Sequence, residues 1–276
     1  GNWTSPALVC LIVLAHQFLY DRMRWQKILY RLLPVTLILV LFARVVMIED
    51  ILPMKAIRSR YHAWEHWPAE MKERTRGLPI VFNNSYQRAS KYWFYSGQQT
   101  YSLNLYKERK NNYNLWPVED SLLGKPVYIL DVYDMWKYTD SLKTPIGKVG
   151  YRYDSSFVSF AKINLAITPK KIVTDTKNRP QHLSLQWKAG IPQHYANFIL
   201  QHPSNEDTVR VGLFKEGKWL QDFPTSLTPL QMLKEKEGII IIDADLPKGN
   251  YYLRVAINRG NRYPTHNSEK IEWRVD

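Results

Sequence analysis

Residues 28–48 read ILYRLLPVTLILVLFARVVMI, apolar except for Tyr30, Arg31, Thr36 and Arg44. Wound as a helix, this stretch is about 31 Å long, close to the roughly 30 Å of hydrocarbon in a bilayer. Arg31 and Arg44 lie near its ends, where long basic side chains reach the headgroups. Pro34, expected in the first turn or so of that helix, is tolerable in a lipid-embedded one. A buried core helix of a soluble domain has a similar composition, but length and flanking charges favour the membrane. A second apolar run, PALVCLIVLAHQFLY at 6–20, precedes it, with Trp3 and Tyr20 where interfacial aromatics belong. This run has neither the basic lead-in nor the small-residue cleavage site of a signal peptide. The expectation is a pair of membrane helices over residues 1–48, joined by DRMRWQK at 21–27. Arg22, Arg24 and Lys27 mark that loop as cytoplasmic, so the chain after Ile48 is expected on the periplasmic side of an inner, cytoplasmic membrane.

Composition narrows the partners. Over 276 residues, 38 Lys and Arg against 25 Asp and Glu leave a formal net charge of +13. The ten Trp and 18 Tyr make a basic and aromatic chain, but its charges are scattered and no nucleic-acid motif appears. Nucleic acid is therefore not an expected partner. Positive charge beside a bilayer more economically faces anionic headgroups or a lipid-linked phosphate. Cys10 is the only cysteine, which excludes an intrachain disulfide and a zinc ribbon. His62 and His66 share the spacing of a zinc-binding helix beside Glu65, yet no third ligand is identifiable, so neither metal nor other cofactor is expected. A first residue of Gly1 rather than Met suggests a piece of a longer protein, or a processed one.

Beyond the membrane, apolar residues at three- and four-residue steps predict a connecting helix over 49–76, interrupted near Pro53 and Pro68. Residues 77–144 read as a small α/β domain. Strands are predicted at 79–83, 100–105 and 126–132, with a helix at 84–97, capped by Asn84 or Ser85, ended by Gly97 and expected to bury a stripe of Tyr86, Ala89 and Trp93. A second, short helix is predicted at 118–123, with Glu119 and Asp120 in its first turn. Alternating strands and helices imply a parallel sheet, whose ligands bind beyond the carboxyl ends of the strands. Asn83, Asn84, Ser85, Tyr86, Gln87, Asn104, Arg109, Asn111, Asn112 and Tyr113 fall at that edge. Amides, a guanidinium and aromatic faces suit a sugar or phosphosugar; equally, they suit a self-satisfied network supporting a loop. No glycine-rich phosphate loop is present.

After a linker with helical character at 134–144, residues 145–276 alternate as strands at 156–168, 181–187, 197–201, 208–215, 238–243, 250–258 and 269–275. With one helical insert at 228–237, this pattern predicts an antiparallel β-sandwich. An exposed Trp219 or Tyr263 could hold carbohydrate there, although both residue types more often belong to a core or an edge.

The order FNNSYQRASKYWFYSG, then YSLNLYKERKNNYNLWPVEDSLLGKPVYIL, resembles the extracytoplasmic tail of glycosyltransferase family 39 proteins of the Bacteroidetes lineage. These are relatives of the protein mannosyltransferases and of the lipid A aminoarabinose transferase. The resemblance implies an integral-membrane enzyme moving a sugar from a polyprenyl-phosphate donor to a glycan, lipid or protein acceptor. Of the residues at the strand-end edge, Asn84, Tyr86, Gln87, Arg109, Asn112 and Tyr113 are the expected substrate contacts. Arg44, Arg58 and Arg60 would approach the lipid phosphate, although Arg44 also reads as a snorkelling residue. The catalytic acid of that family lies in an upstream external loop that this sequence does not contain, so the chain alone is expected to be inactive and accessory. The rival expectation is a non-enzymatic, membrane-anchored glycan-binding module.

Overall fold

The computed structural model describes residues 5–52, 54–55, 58–106, 110–132, 138–177, 179–260 and 264–276. The chain divides into two compact units, residues 1–63 and 64–276.

The first unit holds α1 (Ser5–Tyr20) and α2 (Met23–Ile48). The loop expected at 21–27 shrinks to Asp21 and Arg22, because Arg24 and Lys27 already belong to α2. Gln26 makes this junction possible. Its side-chain amide donates to the carbonyls of Leu19 (2.8 Å) and Tyr20 (3.1 Å), which have no partner within α1. The Arg22 guanidinium lies 4.1 Å from the Phe18 ring centre and so packs the corner. Among the described residues, α2 is the one helix long and apolar enough to cross a membrane. Its 26 residues span about 39 Å, and Leu37, Ile38, Leu39 and Leu41 all lie on its outside. The helix runs through Pro34, which sits well inside it. The 16 residues of α1 reach only about 24 Å, short of the hydrocarbon thickness, so the expectation of two spans reduces to one candidate span.

The helix expected over 49–76 is broken. A π-helical turn occupies Arg58–His62, and α3 (Trp67–Arg74) starts afresh with Pro68 in its first turn, where its missing N–H costs nothing. Pro53 lies outside the described residues.

The second unit begins with a five-stranded sheet, ordered β2-β1-β3-β5-β4. β1 (Ile80–Asn83) pairs in parallel with both β2 (Thr100–Leu103) and β3 (Val127–Asp131), as the strand–helix alternation predicts. β1 and β3 are largely apolar because they are covered; Ile80, Val81, Val127 and Leu130 are wholly buried. Between β1 and β2 runs α4 (Tyr86–Ser96), and α5 (Val118–Leu122) precedes β3. The Ser85 side chain accepts from the Arg88 N–H at 3.4 Å, and Gly97 ends α4 at φ +65°.

The sheet is mixed rather than parallel throughout. β5 (Gly147–Asp154) runs antiparallel to β3, and β4 (Asp140–Thr144) antiparallel to β5. The expected boundary at 144/145 therefore cuts a hairpin, and Asp140–Thr144 of the expected helical linker is strand. The cause is local: the Thr144 hydroxyl donates to the Gly147 carbonyl at 2.6 Å, closing a Thr-Pro-Ile-Gly turn.

Two further sheets follow. The larger is ordered β10-β9-β12-β13-β7: β7 (Lys171–Thr174), β9 (Asp207–Lys215), β10 (Lys218–Pro224), β12 (Gly249–Arg259) and β13 (Ile271–Val275). The smaller is ordered β11-β8-β6: β6 (Asn164–Thr168), β8 (Gln181–Gly190) and β11 (Glu237–Ala244). β7 pairs with β13 in parallel, a departure from the antiparallel expectation. Every second residue of β8, Leu183, Leu185 and Trp187, shares one hydrophobic core with Val209, Val211, Leu253, Val255 and Trp273 of the larger sheet. Residues 197–201, expected as strand, complete α6 (Gln193–Gln201), which buries Tyr195, Ala196 and Ile199 at helical spacing. The predicted insert is α7 (Pro229–Glu235), which opens on a capping box of Thr228 and Gln231.

Candidate functional site

The carboxyl ends of β1, β2 and β3 gather most of the polar residues that the sequence nominates. β1 leaves through Asn84 at φ +56°, a left-handed conformation that Asn adopts more readily than most residues. Its backbone N–H donates to the Leu103 carbonyl at 2.8 Å. Its side-chain oxygen accepts from the Leu105 N–H at 3.4 Å, so Asn84 couples the exits of β1 and β2. Tyr86 and Gln87 follow in the first turn of α4, both exposed.

The asparagines after β2 bond to one another. Buried Asn104 accepts from the Asn111 side-chain amide at 2.9 Å. Asn111 in turn accepts the Tyr113 N–H at 2.9 Å, and its own N–H donates to Asn114 at 2.8 Å. The result is a self-capped 3-10 turn over Asn112–Asn114. Tyr113 is buried, its ring edging against Tyr101 at 6.1 Å and Trp116 at 5.1 Å. Its hydroxyl meets the Ser90 hydroxyl at 3.1 Å, and burial raises its pKa. The open stacking face expected of Tyr113 is thus taken up by packing, while Asn112 stays exposed. Arg109 lies outside the described residues.

The exit of β3 adds residues that the sequence reading passed over. Asn83 donates to the Tyr138 hydroxyl at 3.0 Å. Burial is the main cause of a raised pKa at Tyr138, and the Asp131 carboxylate adds to it. Asp131, at the end of β3, is itself buried. The signal was available: an apolar strand, PVYIL, ends in a carboxylate at the sheet edge where ligands bind. What the sequence hides is the return of Tyr138 across that edge.

Of the lipid-phosphate candidates, Arg44 is exposed on α2, near its carboxyl end. Arg58 pairs with Asp50 at 2.6 Å, and the Arg60 side chain lies outside the described residues. His62 bonds the Met47 carbonyl at 2.8 Å, and no metal-holding group of His, Cys, Asp and Glu occurs among the described residues.

Two other places carry chemistry-bearing groups. Glu119, read from sequence as a helix-dipole residue, is buried and accepts from the hydroxyls of Tyr101 and Tyr195, each at 2.9 Å. It bolts α5 to α6. Asp120 beside it binds Lys162 at 2.7 Å and His194 at 3.0 Å. Separately, the outer face of β6-β8-β11 bears a recess of about 460 Å³, whose lining includes Thr168, Gln186, Lys188, Glu237 and Ile239. Trp219 is half exposed, and its indole N–H donates to Asp222 at 2.9 Å; Tyr263 lies outside the described residues.

No family model matches the chain. No curated protein matches it either. A chitin-binding domain from Burkholderia pseudomallei is similar at a TM-score of 0.22 and 11% identity, over 38% of this chain and 57% of that one. The extracellular domain of a hybrid two-component system from B. thetaiotaomicron is similar at a TM-score of 0.21 and 10% identity, over 48% of this chain and 18% of that one. The chain thus spans less than two thirds of either, and likeness at this level carries no argument.

Proposed function

We propose that the chain is the membrane-anchored, extracytoplasmic part of a polyprenyl-phosphate-sugar glycosyltransferase. In this reading it is an accessory part that helps to hold the sugar-bearing donor or the acceptor. One observation carries it: a helix with lipid-facing composition, α2, precedes in the chain a unit that holds three parallel strands. Beyond the carboxyl ends of its strands, Tyr86, Gln87 and Asn112 are exposed. Open amides and a ring face are the groups with which proteins hold sugars, whose hydroxyls both donate and accept. Two later sheets that share one hydrophobic core support the reading of a β-sandwich. The positive-inside rule, applied to Arg22, Arg24 and Lys27, puts everything after α2 outside the cytoplasm. A glycan, lipid or protein acceptor fits this placement, and neither cofactor nor metal enters the reading.

The test is titration of the full chain in nanodiscs with a polyprenyl-phosphate-linked mannose, against polyprenyl phosphate alone. Saturable binding that weakens in Gln87→Ala and Asn112→Ala is expected. Equal binding of both lipids, unaffected by either substitution, would overturn the proposal.

A second reading is a membrane-anchored glycan-binding module. The recess on β6-β8-β11, with Gln186, Lys188 and Glu237 at its lining, favours it. It predicts saturable binding to free glycans that Gln186→Ala removes; flat titrations across a glycan panel would count against it.

A further inference from the structure

α4 is apolar on two faces, and only one of them is used. Ala89 and Tyr92 face the interior beside β1 and β2, where both are wholly buried. On the outside, Tyr86, Ser90 and Phe94 follow one another at four-residue steps and so form a single line. Phe94 is 82% exposed, with Tyr95 edging against it at 5.1 Å. Ser90 carries the line across to the 3-10 turn through its 3.1 Å contact with Tyr113. Just beyond that turn, Leu115 is 80% exposed and Trp116 stands against Tyr113. Tyr86, Phe94, Tyr95, Leu115 and Trp116 thus form an aromatic surface that nothing in the chain covers among the described residues. Solvent-facing clusters of this kind mark contact surfaces.

We infer that this surface docks on the headgroup layer of the bilayer that α2 spans, at a patch of anionic lipid. The inference rests on the membrane reading above. Three observations select lipid as the occupant. Charge is the first: α4 carries Arg88 and Lys91 and no acidic residue. Lys91 is exposed on α4 itself, so the surface complements an anionic leaflet, whereas a second copy would set like charges against each other. The tether is the second. Trp64, where the second unit starts, lies 5.8 Å from the Lys91 ammonium and 4.9 Å from Trp67, which reaches Tyr92 at 5.5 Å. The chain therefore enters this unit alongside α4. The connection over residues 49–63 can extend at most about 50 Å, and the turn at Arg58–His62 and the Arg58–Asp50 pair shorten it. Residue type is the third, since Tyr, Trp and Lys are the side chains that settle at headgroup depth.

The test uses the full chain in a Cys10→Ser background, with one cysteine carrying an environment-sensitive fluorophore. Phe94→Cys reports the surface, Val173→Cys an exposed site on the far sheet, and Ile38→Cys the middle of α2. The chain is reconstituted in vesicles of phosphatidylcholine and phosphatidylglycerol containing headgroup or acyl-chain nitroxide lipids. The Phe94 probe is expected to shift to the blue and lose emission to headgroup nitroxide. That loss should diminish when phosphatidylglycerol is omitted, and the Val173 probe should show none of it. A quenched Ile38 probe with an unquenched Phe94 probe overturns the inference while leaving the anchor intact. If neither is quenched, the membrane reading itself fails and takes the inference with it. A Phe94 response that follows protein density rather than nitroxide lipid assigns the surface to a second copy, which also overturns it.

Discussion

Glu119 is a carboxyl group whose surroundings set its behaviour. Burial raises its pKa above the usual value of about 4.5, and the Tyr195 and Tyr101 hydroxyls pull it partly back. A group raised on folding gives stability that is complete below its unfolded value and is lost as pH rises through its folded value. Lys162, Asp120 and Ser159 also face this cluster. Glu119→Gln keeps the shape and removes the titration. The stability of the variant relative to the parent is therefore expected to rise as pH increases from about 4.5 towards neutrality. Thermal midpoints in detergent across that range check this, and parallel profiles would refute it. Glu119→Ala should do worse at every pH, because it strands two buried hydroxyls at about 1–3 kcal/mol each. Tyr113 gives a second residue-scale result. As a buried ring it is expected to cost about 3–5 kcal/mol on truncation to Ala, so loss of binding in that variant would report unfolding. Tyr113→Phe removes only the Ser90 contact, at about 1 kcal/mol, and should leave ligand binding unchanged in the nanodisc titration.

Between elements, close approach is bought with glycine. A Cβ on Gly212 of β9 would fall 2.3 Å from the Tyr106 ring and 3.0 Å from that of Phe214. Tyr106, just after β2, lies on the outer face of the larger sheet, its ring 5.4 Å from Phe214 and its hydroxyl 2.8 Å from Asp222. Gly212→Ala should therefore destabilise the protein by about 1–3 kcal/mol through overpacking. Tyr106→Ala in the same chain should relieve part of that penalty, giving a coupling that a double-mutant cycle in denaturant would measure. Additive costs would mean that the ring does not hold the loop to the sheet. α4 makes a complementary case. Its cap and its glycine stop were legible from local sequence, since each depends on residues a few positions apart; the expected stripe of Tyr86, Ala89 and Trp93 was not, because packing buries Ala89, Tyr92 and Ser96 and leaves Tyr86 exposed. NFILQ at 197–201, with its aromatic and β-branched residues, suits a strand as readily as a helix; here QHYANFILQ buries Tyr195, Ala196 and Ile199, and packing selects the helix.

For the molecule as a whole, the anchor is the feature that decides what the crevice can meet. Leu39 lies near the middle of α2 with its side chain outward. Leu39→Arg introduces a charge at the costliest depth, about 2.5–3.5 kcal/mol on insertion scales. The fraction of full chain resisting alkaline extraction from membranes should fall accordingly. Unchanged extraction would argue that α2 is not in lipid. In the second unit, the β4–β5 hairpin completes the first sheet across the boundary that composition alone had drawn, because the change from helical to alternating pattern is not a change of domain.

Period, caps and turn residues act over a few positions, so the chain by itself determined α2 as a candidate span, the three parallel strands and the helix between two of them. It also determined which polar residues reach the strand ends. Hydrogen-bond partners and burial depend on what the fold brings back from far along the chain, and these only the tertiary structure decided. It turned the asparagines at 104, 111 and 114 into one another's partners, Tyr113 into core and Glu119 into a bolt. It also left Phe94 and Leu115 uncovered. A side chain's type is local; whether it is free to meet a ligand is set by its distant neighbours.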